Sequence, residues 1–342
     1  MKDKTKSILA TVVLVILLIL LSIIYTNNNY QNLQVNSKYN NINIDSNKLN
    51  IFYFNVGQAD CTLITINNKN MLIDAGQDSD GEYIVEFLKA KNIKELDYFV
   101  ITHGDIDHSG GAKDIINNIK IENIFMPQGI TECEDEYQEI KQLADKKEIK
   151  MPKVEVNQKF NLDIADFTIV SVKNDMDCAT NDSSIAIRLN YFNTIYLLMG
   201  DITTDIEDEM QCESVDILKV SHHGSNSSTS TEFLEKVKPK YAIISAGNNK
   251  KYNHPSEEVL ERLRKFGIED NNIYITKNQG TIWITSDGET ISIECREDIN
   301  LDGTGQLSYR NIFYICSYFF EKMKKVLFFQ KNHYIIALVF QR

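Results

Sequence analysis

None of the six cysteines (Cys61, Cys133, Cys178, Cys212, Cys295 and Cys316) stands in a C-x-x-C pair. That spacing argues against a structural zinc ribbon. A chain of 342 residues with 43% hydrophobic content can bury a proper core without disulfide staples. Most of the cysteines therefore read as buried thiols, with one bridge left open. Basic residues are also short: 36 Lys and Arg stand against 48 Asp and Glu, a formal net charge of -12. A broad duplex-DNA surface would be basic, so this balance argues against one. It does not exclude a nuclease, because a bound divalent metal adds local positive charge that net charge ignores. No repeat of solenoid type is visible, and the length suits one large domain or two small ones. Histidine is scarce, six in all, so each can be weighed singly.

Four metal-competent side chains nevertheless crowd into one stretch. Thr102-His103-Gly104-Asp105-Ile106-Asp107-His108-Ser109-Gly110-Gly111 carries His103, Asp105, Asp107 and His108. The apolar run Leu96-Asp97-Tyr98-Phe99-Val100-Ile101 leads into it and reads as a buried strand, and a helix-like stretch starts near Lys113. The candidate ligands hang on a strand-to-helix loop, which can turn all four toward one point as a regular element with this spacing cannot. Imidazole with carboxylate suits zinc, manganese or iron. The bland alternative is a polar turn facing water. Two histidines interleaved with two aspartates behind a buried strand argue against it.

A second stretch repeats this build. The strand Val215-Asp216-Ile217-Leu218-Lys219-Val220 delivers Ser221-His222-His223-Gly224-Ser225 to a turn of small residues. His222 lies nearest the strand end and reads as the metal ligand. His223 then contacts substrate or holds the loop, and the two roles are open to exchange. A third apolar strand, Thr194 to Met199, ends at Gly200-Asp201. A carboxylate there needs a partner, and a metal is the best candidate. Asp60, in Asn55-Val56-Gly57-Gln58-Ala59-Asp60, and Asp74, in Leu72-Ile73-Asp74-Ala75-Gly76, either orient ligands or cap turns. His254, in Tyr252-Asn253-His254-Pro255-Ser256, precedes a helix over 257–266. It holds phosphate, protonates a leaving group, or is simply a turn residue.

The remaining pattern alternates strands and helices. Strands are expected over 49–64 with one turn, 121–126, 154–172 as a pair, 185–189, 241–247, 273–276, 280–285 and 291–294; helices are expected over 81–91, 114–119 and 132–150. At the N-terminus Lys2, Lys4 and Lys6 precede an apolar run over 8–25, close to the roughly 20 residues that span a bilayer. The basic flank would stay in the cytoplasm and send the rest of the chain outside. No small-x-small cleavage site follows, which favours a single-pass anchor over a signal peptide and a secreted product. The expected organisation is an anchor over 1–26, a flexible Asn-, Gln- and Ser-rich tether over 27–48, a globular domain over 49–297, and an aromatic, basic tail over 298–342. That tail either lies on a membrane surface or is an accidental extension of the reading frame.

The pattern His-x-Asp-x-Asp-His-x-Gly-Gly over 103–111 resembles the metal motif of the metallo-β-lactamase superfamily. Asp105, where many members have histidine, resembles the branch formed by the hydrolase domain of the ComEC competence proteins. Val-Gly-Gln-Ala-Asp over 56–60 resembles that branch's opening motif, with Ala59 in place of glycine. Asn181-x-x-Ser184, Leu-Leu-Met-Gly-Asp over 197–201, Leu-Lys-Val-Ser-His-His-Gly-Ser over 218–225 and the His254-Pro255 helix start resemble its later motifs, in order. The resemblance implies an α/β fold, the αββα sandwich of two mixed β-sheets flanked by helices. It implies two divalent ions, zinc or manganese: Asp107, His108 and His222 would hold one, His103 and Asp105 the other, with Asp201 shared. Such ions lower the pKa of water toward about 7, and Asp107 or Asp201 is placed to take a proton. Asp60, Asp74, Asn181, Ser183 and Ser225 would support ligands or meet substrate. Most superfamily members have another histidine ligand before the bridging aspartate. Here no histidine lies between His108 and His222, and Asn181, Asp182 or Ser183 are candidates to replace it. A site richer in oxygen favours manganese or magnesium over zinc.

Two kinds of function follow as expectations. One is a membrane-tethered, metal-dependent hydrolase that cleaves phosphodiesters with metal-activated water, on single-stranded DNA, a smaller phosphoester or, less in keeping with the branch, a lactam-like amide. The other is a non-catalytic extracellular metal-binding module. No protein partner is evident.

Overall fold

The strands of this chain are apolar along most of their length, because each sheet is covered on both faces. The computed structural model describes Ser22 and residues 39–128, 134–174, 181–249 and 251–303. In it β1 (Leu49–Tyr53), β2 (Thr62–Ile66) and β3 (Lys69–Ile73) form an antiparallel meander. β4 (Glu95–Val100) joins β3 in parallel after helix α1 (Gly81–Ala90). β5 (Lys120–Phe125) joins β4 in parallel after the helical turn α2 (Ile106–Ser109) and α3 (Ala112–Asn118). β13 (Thr281–Ser286) and β14 (Ile291–Arg296) return from the far end of the chain, giving the order β14-β13-β1-β2-β3-β4-β5.

The second sheet runs β12-β11-β10-β9-β8-β7-β6. Its strands are β6 (Lys159–Leu162), β7 (Ala165–Ser171), β8 (Ala186–Tyr191), β9 (Thr194–Leu198), β10 (Ile217–Lys219), β11 (Tyr241–Ile244) and β12 (Ile273–Ile275). Pairing is antiparallel from β6 to β9 and parallel from β9 to β12. Helices α4 (Glu134–Lys146), α5 (Thr204–Glu209), α6 (Thr231–Val237), α7 (Glu257–Phe266) and the short α8 (Thr276–Gln279), with 3-10 turns at Asn181–Ser183, His222–Gly224 and Asp270–Asn272, complete the described elements.

Period-two geometry sorts each strand between two cores. Ile51, Tyr53 and Ile64 point inward and meet Ile187, Leu189 and Tyr196 between the sheets. Phe52, Leu63 and Phe99 point outward onto Phe87 of α1, Ile115 of α3 and Ala144 of α4. On the other side Leu197, Leu218 and Ala242 meet Ile206 of α5, Phe233 of α6 and Leu263 of α7. This is the expected αββα sandwich of two mixed sheets.

The fold reaches further than the apolar pattern indicates. Tyr39 and Ile42 are buried, the Tyr39 ring sits edge-on to Phe87 at 5.1 Å, and Lys91 donates to the carbonyls of both residues. Residues 39–48, expected in the tether, therefore belong to the domain. Ile299 and Leu301 are buried as well, and the Leu301 N–H donates to the Asn55 carbonyl at 2.9 Å, so the domain closes beyond residue 297, at Asp302. Isolated apolar residues among Asn and Asp carry no periodicity by which to find them. Helices α5, α6 and α8 are likewise too short to show a helical period in the sequence. The α7 bounds agree with expectation, and Ser256 Oγ accepts from the Val259 N–H at its start.

Cys61, Cys212 and Cys295 are free thiols; the other three cysteines lie outside the described residues. So do the anchor over 1–26, apart from Ser22, and nearly all of the tail. Among the described residues no helix is long and apolar enough to cross a membrane.

Phe87 is fully buried and packs against Tyr39, Phe52 and Phe54. Phe87→Ala is expected to lower unfolding free energy in urea by about 3–5 kcal/mol. A loss below about 1 kcal/mol would show that the α1 layer is not part of the cooperative core.

Candidate metal centre

The site is built where strand ends of both sheets meet. Beyond β3, Asp74 takes a left-handed backbone, φ 59°, which turns its carboxylate under the loop that leaves β4. Asp74 Oδ1 accepts the Thr102 N–H at 2.8 Å, and the Thr102 hydroxyl donates to the same carboxylate. Asp74 Oδ2 accepts from His108 Nδ1 at 2.8 Å. The loop then folds back so closely that a Cβ at Gly111 would fall 2.2 Å from the Ala75 carbonyl oxygen, which only glycine permits. Of the two readings open for Asp74, orienting a neighbour or capping a turn, these contacts match the first.

Four imidazoles share one arrangement. His108 Nδ1 faces the Asp74 carboxylate and His223 Nδ1 faces the Ser245 carbonyl at 3.0 Å. Both partners only accept, so both Nδ1 atoms carry the proton. His103 Nδ1 lies 3.2 Å from the Thr102 hydroxyl, whose own proton goes to Asp74, and 3.4 Å from Ser184 Oγ. His222 Nδ1 lies 3.3 Å from Ser227 Oγ. The opposite nitrogens turn toward carboxylates. His108 Nε2 stands 3.2 Å from Asp201 Oδ1, and His223 Nε2 stands 3.3 Å from Asp107 Oδ2 and 3.5 Å from Asp201 Oδ2. His103 Nε2 is 3.5 Å from Asp105 Oδ2.

Nε2 of His103, His108 and His223, Oδ1 of Asp60 and Oδ1 of Asp201 are buried without a hydrogen-bond partner. Buried polar groups are rarely left so. Two donors about 2.1 Å from one tetrahedral ion lie roughly 3.4 Å apart, which matches the spacings just given. The residues fit a divalent metal. Asp60, His108, Asp201 and His223 alone offer four ligand atoms within 4.8 Å of one another.

The electrostatics agree. Burial pushes the Asp201 carboxyl up, but His108 and His223 outweigh it and hold the group well below the usual carboxylate range. Burial likewise raises Asp107, and its contact with His223 and the charge of His108 hold it below its ordinary value. Burial depresses His108 and His223, yet the carboxylates around them, Asp201 foremost, raise both. Asp60 is lowered despite burial because Lys219 Nζ lies 2.7 Å from its Oδ2, both side chains being almost wholly enclosed.

The sequence-based assignments change in three respects. His223, not His222, stands against Asp107 and Asp201 beside His108; His222 Nε2 faces only Asp201 Oδ2, at 3.8 Å. The left-handed backbone at both histidines, φ 50° and 54°, swings the second ring inward and leaves the first at the cleft. Asp60 is drawn into the cluster itself. His254, packed near His222 and His223, is pushed down to about 4 by burial and by those rings, so in the free protein its imidazole is neutral at pH 7. Asn181 faces the cleft, its amide nitrogen 3.5 Å from His222 Nε2. Asp182 instead accepts from Thr203 Oγ1. Ser183 is buried on a 3-10 turn, and the hydroxyl beside His103 belongs to Ser184, which also accepts the Asp201 N–H. Ser225 bonds Ser227 and braces the loop.

Sequence reasoning gave no role to Lys219, Thr102 and Ser227, and Ser184 stood there only as a motif position. A lysine amid an apolar strand was the one visible signal. An open cleft of about 770 Å³ leads to the cluster past Gln58, Ile106, Asn181, His222, Tyr252 and His254.

A protein-family model, Metallo-beta-lactamase superfamily, matches residues 54–248. The chain is 32% identical over 204 residues to ComE operon protein 3 of Bacillus subtilis (strain 168), covering 58% of this chain and 26% of that one. It is 28% identical over 231 residues to Competence protein ComA of Neisseria gonorrhoeae, covering 66% and 31%. The chain thus spans less than a third of either relative. Among solved structures, the metallo-beta-lactamase fold protein YhfI from Bacillus subtilis is similar at TM-score 0.47 and 11% identity, over 68% of this chain and 98% of that one. A diphosphatase from the PhnP family is similar at TM-score 0.42 and 17% identity, over 67% and 84%.

Asp74 touches no candidate ion but orients His108. Asp74→Asn is expected to weaken manganese binding about 10- to 100-fold by calorimetry, with circular dichroism unchanged. Unaltered affinity would remove Asp74 from the site.

Proposed function

The chain belongs to the metallo-β-lactamase superfamily, and we propose that it is a two-metal phosphodiesterase acting on single-stranded DNA, held outside the cell membrane by its N-terminal segment. The observation that carries the reading is the set of unpartnered, buried ligand atoms of His103, His108, His223, Asp60 and Asp201 at the floor of an open cleft. A copy kept only for binding would be expected to lose part of that set. Divalent ions held there, manganese or zinc, would supply Lewis acidity and would lower the pKa of water toward about 7.

The chain's own groups supply the rest. Asp201 turns one oxygen toward His108 and the other toward His222 and His223, so it can serve two positions. Asp107, ionised and more open than Asp201, is placed at the cleft to take a proton from water. Asp74 and the Ser245 carbonyl hold the rings of His108 and His223 and leave their Nε2 lone pairs inward. At the rim Tyr252 is 50% exposed and stacks parallel to His254, while Ile106 is 51% exposed. Such surfaces suit an unpaired base, which stacks on aromatic rings. The resemblance to the ComEC branch supports DNA as the substrate, and one relative is named Competence protein ComA. The acidic balance suits local engagement through metals and stacking better than a broad basic face. The lysines and apolar run at the N-terminus support the tether.

With manganese or zinc the purified full-length protein is expected to cut end-labelled single-stranded DNA, and His108→Ala to reduce cutting to background. No cutting with either metal removes DNA as the substrate. Full activity in His108→Ala removes the metal mechanism. Tyr252→Ala is expected to raise KM for an oligonucleotide roughly 5- to 150-fold, the equivalent of about 1–3 kcal/mol of stacking. Hydrolysis of bis(p-nitrophenyl) phosphate, which has no base, should not change; an equal loss on both substrates would place Tyr252 in the fold instead.

A further inference from the structure

The segment that follows the tandem histidines, Ser225-Asn226-Ser227-Ser228-Thr229-Ser230, contains no charged side chain. Two charged groups from the neighbouring helices grip it. Glu207 of α5, fully buried, accepts the Thr229 N–H at 2.6 Å and the Ser230 N–H at 2.9 Å, one on each carboxylate oxygen. Arg262 of α7 donates to the carbonyls of Asn226, Ser228 and Thr229 at 2.8–3.0 Å. Neither residue is among those lining the cleft. We propose that Glu207 is a positioning residue: its ionised carboxylate clamps residues 229 and 230 and so sets the His222–His223 loop, and protonation of that carboxylate loosens it. The inference rests on the placement of His222 and His223 at the metal centre and is independent of the substrate.

Hydrogen bonds carry the clamp to the histidines. Ser228, next to Thr229, turns its hydroxyl to the carbonyls of Ser221 and Ser225, at 2.9 and 3.1 Å. Those two residues flank His222-His223-Gly224. α5 adds a second tie from its first turn: the Thr204 N–H donates to the Ser227 carbonyl at 2.9 Å, and Ser227 Oγ lies 3.3 Å from His222 Nδ1. Thr229 itself has left-handed backbone, φ 57°. A β-branched residue adopts that conformation only where its surroundings enforce it. Glu207 holds its N–H and Arg262 its carbonyl, so the two charged groups fix the peptide units on both sides of the strained residue.

The clamp depends on a proton. An ionised carboxylate accepts on both oxygens, whereas a protonated one carries hydrogen on one of them and loses strength toward the second N–H. Burial raises Glu207 to about 7, against the lowering effect of the two N–H donors and of Arg262; Asp208, on the same helix, adds to the rise. On α6, Lys236 donates to the Asp208 carbonyl. The loop itself presents N–H groups and hydroxyls but no charge. Both forms of Glu207 are therefore populated near neutral pH. Because its value in the fold is raised, the protonated form contributes stability at low pH, and that contribution is lost as pH rises through about 7. Grip on the loop follows the opposite course and is gained over the same interval.

The test follows hydrogen exchange over residues 222–228 in the metal-free, full-length protein, by mass spectrometry from about pH 6 to about pH 8.5 with intrinsic rates divided out. In the wild type, protection should rise with pH through about 7. Glu207→Gln keeps the shape with one acceptor oxygen. Its exchange rate relative to wild type is expected to climb from about 1 at low pH to about 10 above the transition, as loss of a charge-assisted hydrogen bond requires. Manganese affinity, by calorimetry, should fall in Glu207→Gln with the same pH dependence. Arg262→Gln removes the cation that lowers Glu207, so its transition should move upward; it decides the matter if Glu207→Gln does not fold. A ratio independent of pH makes Glu207 a packing residue and overturns the proposal. So does equal exchange at every pH, or an Arg262→Gln transition that stays in place. Manganese binding by wild type that Glu207→Gln leaves unchanged overturns the positioning role. A wild type that shows the transition yet binds no manganese keeps the clamp and removes the metal reading of the site.

Discussion

Asp201 is the group on which the arrangement depends. It ends a buried strand, is almost fully enclosed, and faces three imidazoles, His108 at Oδ1 and His222 and His223 at Oδ2. A carboxylate in such a place is costly unless cationic charge compensates it. The carboxylate and the imidazoles bias one another: Asp201 raises the pKa of His108 and His223, and they lower that of Asp201. A divalent ion supplies cationic charge and satisfies several lone pairs at once. Metal binding and protonation compete for the same imidazole nitrogens.

The sandwich brings these groups together from both halves of the chain. Asp60, Asp74 and the His103–His108 loop follow strands of the first sheet; Asp201 and the tandem histidines follow strands of the second. Lys219 joins them from beneath. It lies in β10 of the second sheet and pairs with Asp60 beyond the β1–β2 turn of the first, 159 residues away. The ion pair neutralises Asp60 through Oδ2, which also lies 3.8 Å from His223 Nδ1, and leaves Oδ1 buried without a hydrogen-bond partner. Removing the lysine alone would strand a buried carboxylate under the metal centre.

Much of the fold was legible because burial on two faces forces continuous apolar strands, and the intervening helices carry periods of their own. The exceptions share one cause. Tyr39, Ile42, Ile299 and Leu301 are single apolar residues in polar stretches, and helices α5, α6 and α8 are too short for a period to register. Each is set by packing against an element distant in the chain, such as Phe87 for Tyr39 or Asn55 for Leu301.

For the site, the sequence alone determined which residue types were present and where they cluster. His103, Asp105, Asp107, His108, Asp201 and the His222-His223 pair all follow apolar strands, and that placement marks them as a centre of metal chemistry. Only the tertiary structure decided which histidine of the pair faces Asp107, because that choice rests on two left-handed residues and on a carbonyl contact from β11 that spacing cannot reveal. It also decided that Asp60 belongs to the cluster, that Lys219 balances it, and that His254 is held uncharged. Those outcomes depend on distances between strands of different sheets and on exclusion of water between them, and neither is a property of local sequence.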